Sequence, residues 1–231
     1  MIRYINMLAS KILKRPMSIP EEMPVGYLIS VCYERFIMMI RGAFSLRFKK
    51  KGGVLFRGKR VEIHCKSMIS MGNGVTLQDY VEINAMSKDG IKIGNNVSIG
   101  KRSIIRTSGS VSAIGKGFSI GDFSSLGHDC FVGAAGGVHI GNYVAIGQYV
   151  RFHSENHNFD SLELPIHEQG VSNKGIEIGN DCWIGSGVVF LDGVHVGNGC
   201  VIGANTLVNK DIPDNSVAVG NPVKILRKRA E

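Results

Sequence analysis

A hydrophobic residue returns at every sixth position from Ile178 to Val208: Ile178, Ile184, Phe190, Val196, Ile202 and Val208. The same phase runs through Met71, Leu77 and Ile83, then through Ile93, Ile99 and Ile105. It resumes at Ile114, Ile120, Leu126 and Val132, and again at Ile140, Ile146 and Phe152. An α-helix requires a period near 3.6 and a flat strand a period of 2. A period of six with glycine fits neither, but it fits a solenoid in which each repeat is one face of a coil. A β-sandwich with Gly-rich turns would alternate with period 2 between irregular turns and lose this phase.

Three faces make a triangular coil of about eighteen residues. Coils stack as parallel strands about 4.8 Å apart, so nineteen beats give about six coils. The beat residue points inward. A second inward position follows four residues later and holds smaller side chains, among them Val75, Ser103, Cys130, Val144, Cys182, Val188, Cys200 and Thr206. Cys182 and Cys200, one coil apart, are expected to be stacked neighbours. Five cysteines without a CxxC pair read as small buried fillers in a reducing compartment, with neither a disulfide framework nor a metal site. Glycine and asparagine recur at the corners (Gly94-Asn95-Asn96, Gly141-Asn142, Gly179-Asn180, Gly197-Asn198), where positive φ is expected.

The 231 residues divide into an N-terminal helical segment (1–52), the solenoid (53–212) and a basic tail (213–231). Residues 1–23 read as a short basic helix ending near Pro16 and Pro20. The formal charge of +8 suits a phosphate-bearing ligand or an anionic surface. Nucleic acid is not expected, because the basic residues gather at the two ends without aromatic interleaving. No cleavable signal is seen, and the expected location is cytoplasmic. Residues 24–48 are strongly apolar but interrupted by Glu34, Arg35 and Arg41, short of an uncharged spanning helix. Two readings stand for residues 24–51. The helix caps the first coil, or it lies in the interface of the inner membrane face with Lys49, Lys50 and Lys51 on lipid head groups.

The largest break in the beat lies between Phe152 and Ile178, where a run of about twenty extra residues (153–177) is inserted. It carries His153, His157, His167, Glu155 and Asp160. Such an excursion from a regular scaffold is a place for function. The bland alternative is a surface loop with solvated histidines.

The repeat resembles the hexapeptide-repeat, left-handed parallel β-helix family over roughly residues 60–228. The stretch from Ile176 to Arg229, with its Trp-Ile-Gly segment at Trp183, is similar to the galactoside and maltose acetyltransferases and to bacterial surface-polysaccharide O-acetyltransferases. The resemblance implies a mainly β fold, a left-handed parallel β-helix with a short N-terminal helical segment, and a homotrimer with sites between subunits. It implies acetyl-CoA as donor, no metal, and a sugar or glycan acceptor in capsule, O-antigen or exopolysaccharide. A loop histidine would be the general base: His157, in His157-Asn158-Phe159-Asp160, matches the motif except that Asn158 replaces proline. His153 is the competitor, since a paired-histidine loop occurs in the surface-polysaccharide branch. Imidazole, with an ordinary pKa near 6.5, can take a hydroxyl proton at neutral pH. Asp160, Glu155 or a loop carbonyl could fix its tautomer.

By the same resemblance, the Ser186 N–H would stabilise the oxyanion, as such an intermediate requires a donor. Ser186, Ala204, Asn209 and Lys210 would contact the pantetheine or phosphates, and Lys224 and Arg227 the nucleotide end. Asn209 stands in place of a usual threonine, and Lys224 in place of an arginine. Trp183, the only tryptophan, precedes an inward beat and should face outward over ligand or subunit interface. Competing readings are transfer to an amino-sugar nitrogen, a zinc-holding γ-type carbonic anhydrase using the His153–His157 pair, and a non-enzymatic scaffold. Coenzyme A binding separates them.

Overall fold

The computed structural model describes Met7 and residues 19–20, 22–45, 48–109 and 113–231. The basic helix expected over residues 1–23 lies almost wholly outside them. The chain forms two compact units, Met1–Ile37 and Met38–Glu231. Helix α1, Val25–Ala43, has its residues up to Ile37 in the first unit and its last residues in the second. It starts behind Pro24, whose carbonyl accepts the Leu28 N–H at 3.1 Å, and stops where Ser45 Oγ donates to the Arg41 carbonyl at 3.2 Å.

The second unit is a three-faced column. Its first sheet runs from Lys50–Lys51 to His195–Val196 in seven strands, and its third from Glu62–His64 to Leu207–Val208 in seven. The second sheet has nine, from Leu55–Arg57 to Lys224–Lys228. Every pairing in these sheets is parallel except the last of the second sheet, Ser216–Val219 with Lys224–Lys228. Beat residues stack on one another: Met71, Ile93, Ile120, Ile140, Ile178 and Val196 follow in register down the first sheet. Each leaves water between two apolar neighbours, which is where burial stabilises most, at about 25 cal/mol per Å².

Of the beat residues only Ile114 is exposed, at 51 %. It belongs to a second excursion: the chain leaves the column after Ile104–Arg106 and returns at Phe118–Ile120. The coincidence of six residues between Ile114 and Ile120 concealed it. The column also has seven coils on its first and third faces rather than the six expected. The extra coil, Lys50 to His64, escapes the beat because Lys51 and Arg57 occupy positions in register with Met71 and Leu77. Each makes a local bond: Lys51 Nζ donates to the Gly42 carbonyl at 3.0 Å and Arg57 Nη2 to the Val61 carbonyl at 2.7 Å, while the buried Arg57 Nε has no partner among the described residues. Gly42 abuts the Leu55 carbonyl so closely that no side chain fits there. Residues 38–52 thus belong to the second compact unit.

The corners meet expectation in part: Asn96 has the expected positive φ of 54°, but the Gly-Asn pairs are built differently. In the Gly-Asn pairs the asparagine is a side-chain acceptor: Asn142, Asn180 and Asn198 take the backbone N–H of Asp122, Asn142 and Asn180 in the preceding coil, at 2.7–2.8 Å. Positive φ falls on the following residue, as at Tyr143 (58°) and Asp181 (54°). Glycine is needed for closeness rather than for φ. A Cβ on Gly179 would lie 2.7 Å from the Gly197 carbonyl carbon.

Cys130, Cys182 and Cys200 are buried, and no cysteine of the chain is in a disulfide. Burial pushes the Cys130 thiol up to about 11. The hydrogen bond with Cys200, together with burial, holds Cys182 well above the ordinary thiol range. Cys130 and Cys182 stay protonated fillers, whereas the same hydrogen bond from Cys182 pulls the Cys200 thiol below its ordinary range.

Candidate active site

The inserted segment leaves the column from Arg151–His153, where Phe152 is wholly buried and its neighbours therefore face outward. His153 lies beside the Phe131 ring, with centroids 5.7 Å apart. Together with Arg106, Ser108 and Glu155 they line a hollow of about 300 Å³. Burial, and then the charge of Arg151, holds the His153 pKa below its ordinary value. The unfolded chain therefore binds this proton more readily than the folded one. The stabilising contribution is complete above about pH 6.5 and is lost as pH falls through the lowered folded value. His153→Gln is expected to flatten the acid side of the stability profile in denaturant titrations. An unchanged acid slope would contradict this.

Ser154 pins the exit. Its buried hydroxyl donates to the Gly133 carbonyl at 2.8 Å and accepts the Gly136 N–H at 2.9 Å. The chain then forms a hairpin standing off the column, with Asn156 opposite Ser172 and His157 opposite Val171. His157 is exposed and lines a second hollow, of about 540 Å³, with Asn158, Phe159 and Asp160. Neither ring nitrogen of His157 has a hydrogen-bond partner among the described residues. The tautomer-fixing bond expected from Asp160 or Glu155 is absent there, and Glu155 lies at the other hollow. The two histidines thus serve different hollows rather than one ligand set.

Asn158, the departure from the expected proline, has a local reason. Its N–H extends the hairpin to the Gly170 carbonyl at 3.1 Å, and its side-chain amide donates to the Gln169 carbonyl at 3.0 Å. Proline could make neither bond. Gln169 ties the tip: Nε2 donates to the carbonyls of Ser161 (2.9 Å) and Leu164 (2.8 Å), and Oε1 accepts the Ser161 N–H at 3.0 Å. Asp192 anchors the return, accepting the backbone N–H groups of Lys174 and Gly175 at 2.8–2.9 Å. Sequence reasoning missed Gln169 and Asp192. Both work through backbone contacts, and the only trace of the second is an Asp-Gly pair in an ordinary corner.

After the return comes Trp183, 61 % exposed on the outer face of the second sheet. It sits in one row with Ala145, Val201, Val217 and Arg227. Ser186 and Ala204 occupy one corner in successive coils, and the Ser186 carbonyl accepts from Asn205 N at 2.9 Å. The Ser186 N–H itself has no acceptor among the described residues. Asn209 and Lys210 are exposed just past Leu207–Val208. The tail does not leave the column as expected. Ser216–Val219 continues the second sheet in parallel, and Lys224–Lys228 folds back on it with Lys224 opposite Val219. That pairing satisfies backbone groups a free tail would leave to water. Arg227 Nη1 is partly engaged by the Lys228 and Arg229 carbonyls, and Arg229 pairs with Asp181 at 2.8 Å. Trp183, Ser186, Ala204 and Arg227 thus share the second face and its edge, whereas both histidines are reached from the third.

A family model described as bacterial transferase hexapeptide (six repeats) matches residues 175–210. A probable acetyltransferase of Mycobacterium tuberculosis is 32 % identical over 175 residues, covering 75 % of this chain and 54 % of that protein. The galactoside O-acetyltransferase of Lactococcus lactis is 39 % identical over 92 residues, 39 % of this chain and 43 % of the enzyme. The chain thus spans about half the length of these curated relatives. Escherichia coli WcaF, named for acetyl transfer in colanic acid biosynthesis, is 32 % identical over 142 residues, 62 % of this chain and 71 % of WcaF. Among solved structures, the N-acyltransferase AntD of Bacillus cereus, in complex with dTDP and 3-hydroxybutyryl-CoA, superposes with a TM-score of 0.52 at 17 % identity. It covers 79 % of this chain and 84 % of AntD, and shares the fold. Repeat, column and relatives agree: the chain belongs to the hexapeptide-repeat transferases, the left-handed parallel β-helix family.

Proposed function

We propose that this protein is an acetyl-CoA-dependent O-acetyltransferase acting on a sugar hydroxyl of a cell-surface glycan, as a homotrimer with sites between columns. The observation that carries the reading is the hairpin holding His157 over an open hollow, immediately before the segment that matches the family. The names of the curated relatives support acetyl transfer, and the names of two of them point to galactoside and colanic acid chemistry. An acetyl thioester is already activated, so the protein needs a base, an oxyanion donor and a means of holding the donor. His157 takes the proton from the acceptor hydroxyl as its oxygen attacks the thioester carbonyl. The Ser186 N–H stabilises the oxyanion, and the thiolate of coenzyme A leaves. Such a base contributes about 10²–10⁴-fold.

The donor lies along the second face, past Trp183 and Ala204, with Asn209 and Lys210 near its pantetheine or phosphates. Lys224 and Arg227 meet its nucleotide end. Lys224→Ala combined with Arg227→Ala is expected to raise KM for acetyl-CoA roughly tenfold, about 1.4 kcal/mol of lost binding, with kcat little changed. An unchanged KM would mean that both side chains are merely solvated. The decisive experiment offers a panel of sugars with acetyl-CoA and reads thiol release, followed by product mass and alkaline lability. An alkali-labile acetyl ester supports the proposal. An alkali-stable amide assigns the activity to an amino-sugar nitrogen, and no thiol release with any acceptor leaves a non-enzymatic column.

A further inference from the structure

Helix α1 carries an apolar stripe along its full length. Ile29, Tyr33, Phe36, Ile40 and, just past the helix, Phe44 are 63, 67, 53, 39 and 81 % exposed. At 3.6 residues per turn they fall within one arc of about 100°. Glu34, Arg35 and Arg41 all lie outside it, and so do the buried Leu28 and Met38. The helix is therefore sorted on both sides: one apolar face is used in folding and a second is left exposed.

The charge of the chain is distributed just as unevenly. Between Met38 and Val61 there are eight Lys and Arg residues and no Asp or Glu. Removing those eight from the 27 basic residues leaves 19, against 19 acidic residues in all. The whole formal charge of +8 thus resides in 24 consecutive residues at the end of the stripe. Among the described residues no carboxylate pairs with Arg41, Lys49, Lys50 or Lys59. Arg229, in the other basic run, does have such a partner in Asp181.

We infer that the stripe of α1, with the basic run that follows it in the chain, docks on the surface of an anionic lipid bilayer. The stripe would sink into the boundary between head groups and acyl chains, while Arg41, Lys49, Lys50 and Lys59 meet lipid phosphates. No helix among the described residues is long and apolar enough to cross a membrane, so the helix lies on the surface. A second copy of the chain is a poorer occupant: a symmetric contact that overlaid the two basic runs would set like charge against like. The surface is separate from the transfer chemistry and does not depend on it.

The test is cosedimentation of the full chain with phosphatidylcholine vesicles, with and without phosphatidylglycerol, across a salt series and with no donor or acceptor present. Binding is expected on the anionic vesicles, at least tenfold weaker on the neutral ones, and falling as salt rises. Each basic residue near such a surface is worth about 1 kcal/mol, roughly fivefold in partitioning. Lys49→Glu with Lys50→Glu should therefore weaken binding by at least about 25-fold. Phe36→Ser with Phe44→Ser should weaken it at least tenfold at every salt concentration, with the thermal midpoint of the column unchanged. Equal partitioning on both vesicle types, or none by the unaltered chain, overturns the inference. So does a Phe36/Phe44 variant that changes oligomeric state but keeps its vesicle binding, since the stripe would then belong between copies. Either failure leaves thiol release with soluble sugars intact, so the two readings stand or fall separately.

Discussion

Acetyl transfer by the His157→Ala variant should fall by about 10²–10⁴-fold in kcat, with KM for acetyl-CoA close to that of the unaltered protein. The side chains proposed to hold the donor, Trp183 and Lys224 among them, belong to the second sheet, whereas His157 stands on the hairpin. Its ring is exposed and makes no hydrogen bond among the described residues, so its loss should leave the thermal midpoint unchanged. A lower rate then reports chemistry rather than folding. His153→Ala is the necessary companion. Because burial and Arg151 hold the His153 pKa below its ordinary value, a base at that position would give an acid limb of kcat below about pH 6.5. A dead His153 variant, an active His157 variant and an acid limb shifted in that way would together transfer the role to His153.

The interior of the column was legible because its causes are periodic. One phase placed Ile178, Phe190 and Cys200 inside and Trp183 outside, since successive side chains in a strand face opposite ways. The ruler failed where a single position answers to two demands. Lys51 and Arg57 close the first coil with hydrogen bonds to backbone carbonyls, so a polar residue at an inward beat hid a real turn of the column. Ile114 kept the phase by accident inside a loop. The corner asparagines were read for their conformational tolerance, whereas Asn142 and Asn180 act as acceptors for the coil before them. Composition alone cannot separate those two uses of one residue type. At the site, the length of the excursion located the hairpin and its histidines. The bonds of Gln169 and Asp192 that shape it run to backbone groups, which leave no pattern in the sequence.

Phe190→Ala tests whether the hairpin depends on the coil beneath it. Phe152 and Phe190 stack in the column with ring centroids 4.8 Å apart and planes 9° from parallel, and neither is exposed to solvent. They are directly paired across the third sheet, one just before the insertion and the other two residues before Asp192. Removing a buried phenyl ring costs about 3–5 kcal/mol, the transfer free energy plus the cavity left behind. Against a typical total of about 5–15 kcal/mol that is a large share. Contacts in a solenoid run only between neighbouring coils, so the loss should concentrate where the insertion leaves and returns. Thiol release should then fail at lower denaturant than the loss of strand signal, because Ser154 and Asp192 lose their placement before the end coils melt. Phe190→Leu, which keeps most of the volume, should cost less. A Phe190→Ala column that loses under about 1 kcal/mol would mean the neighbouring side chains close over the gap, and the hairpin is then held from the loop alone.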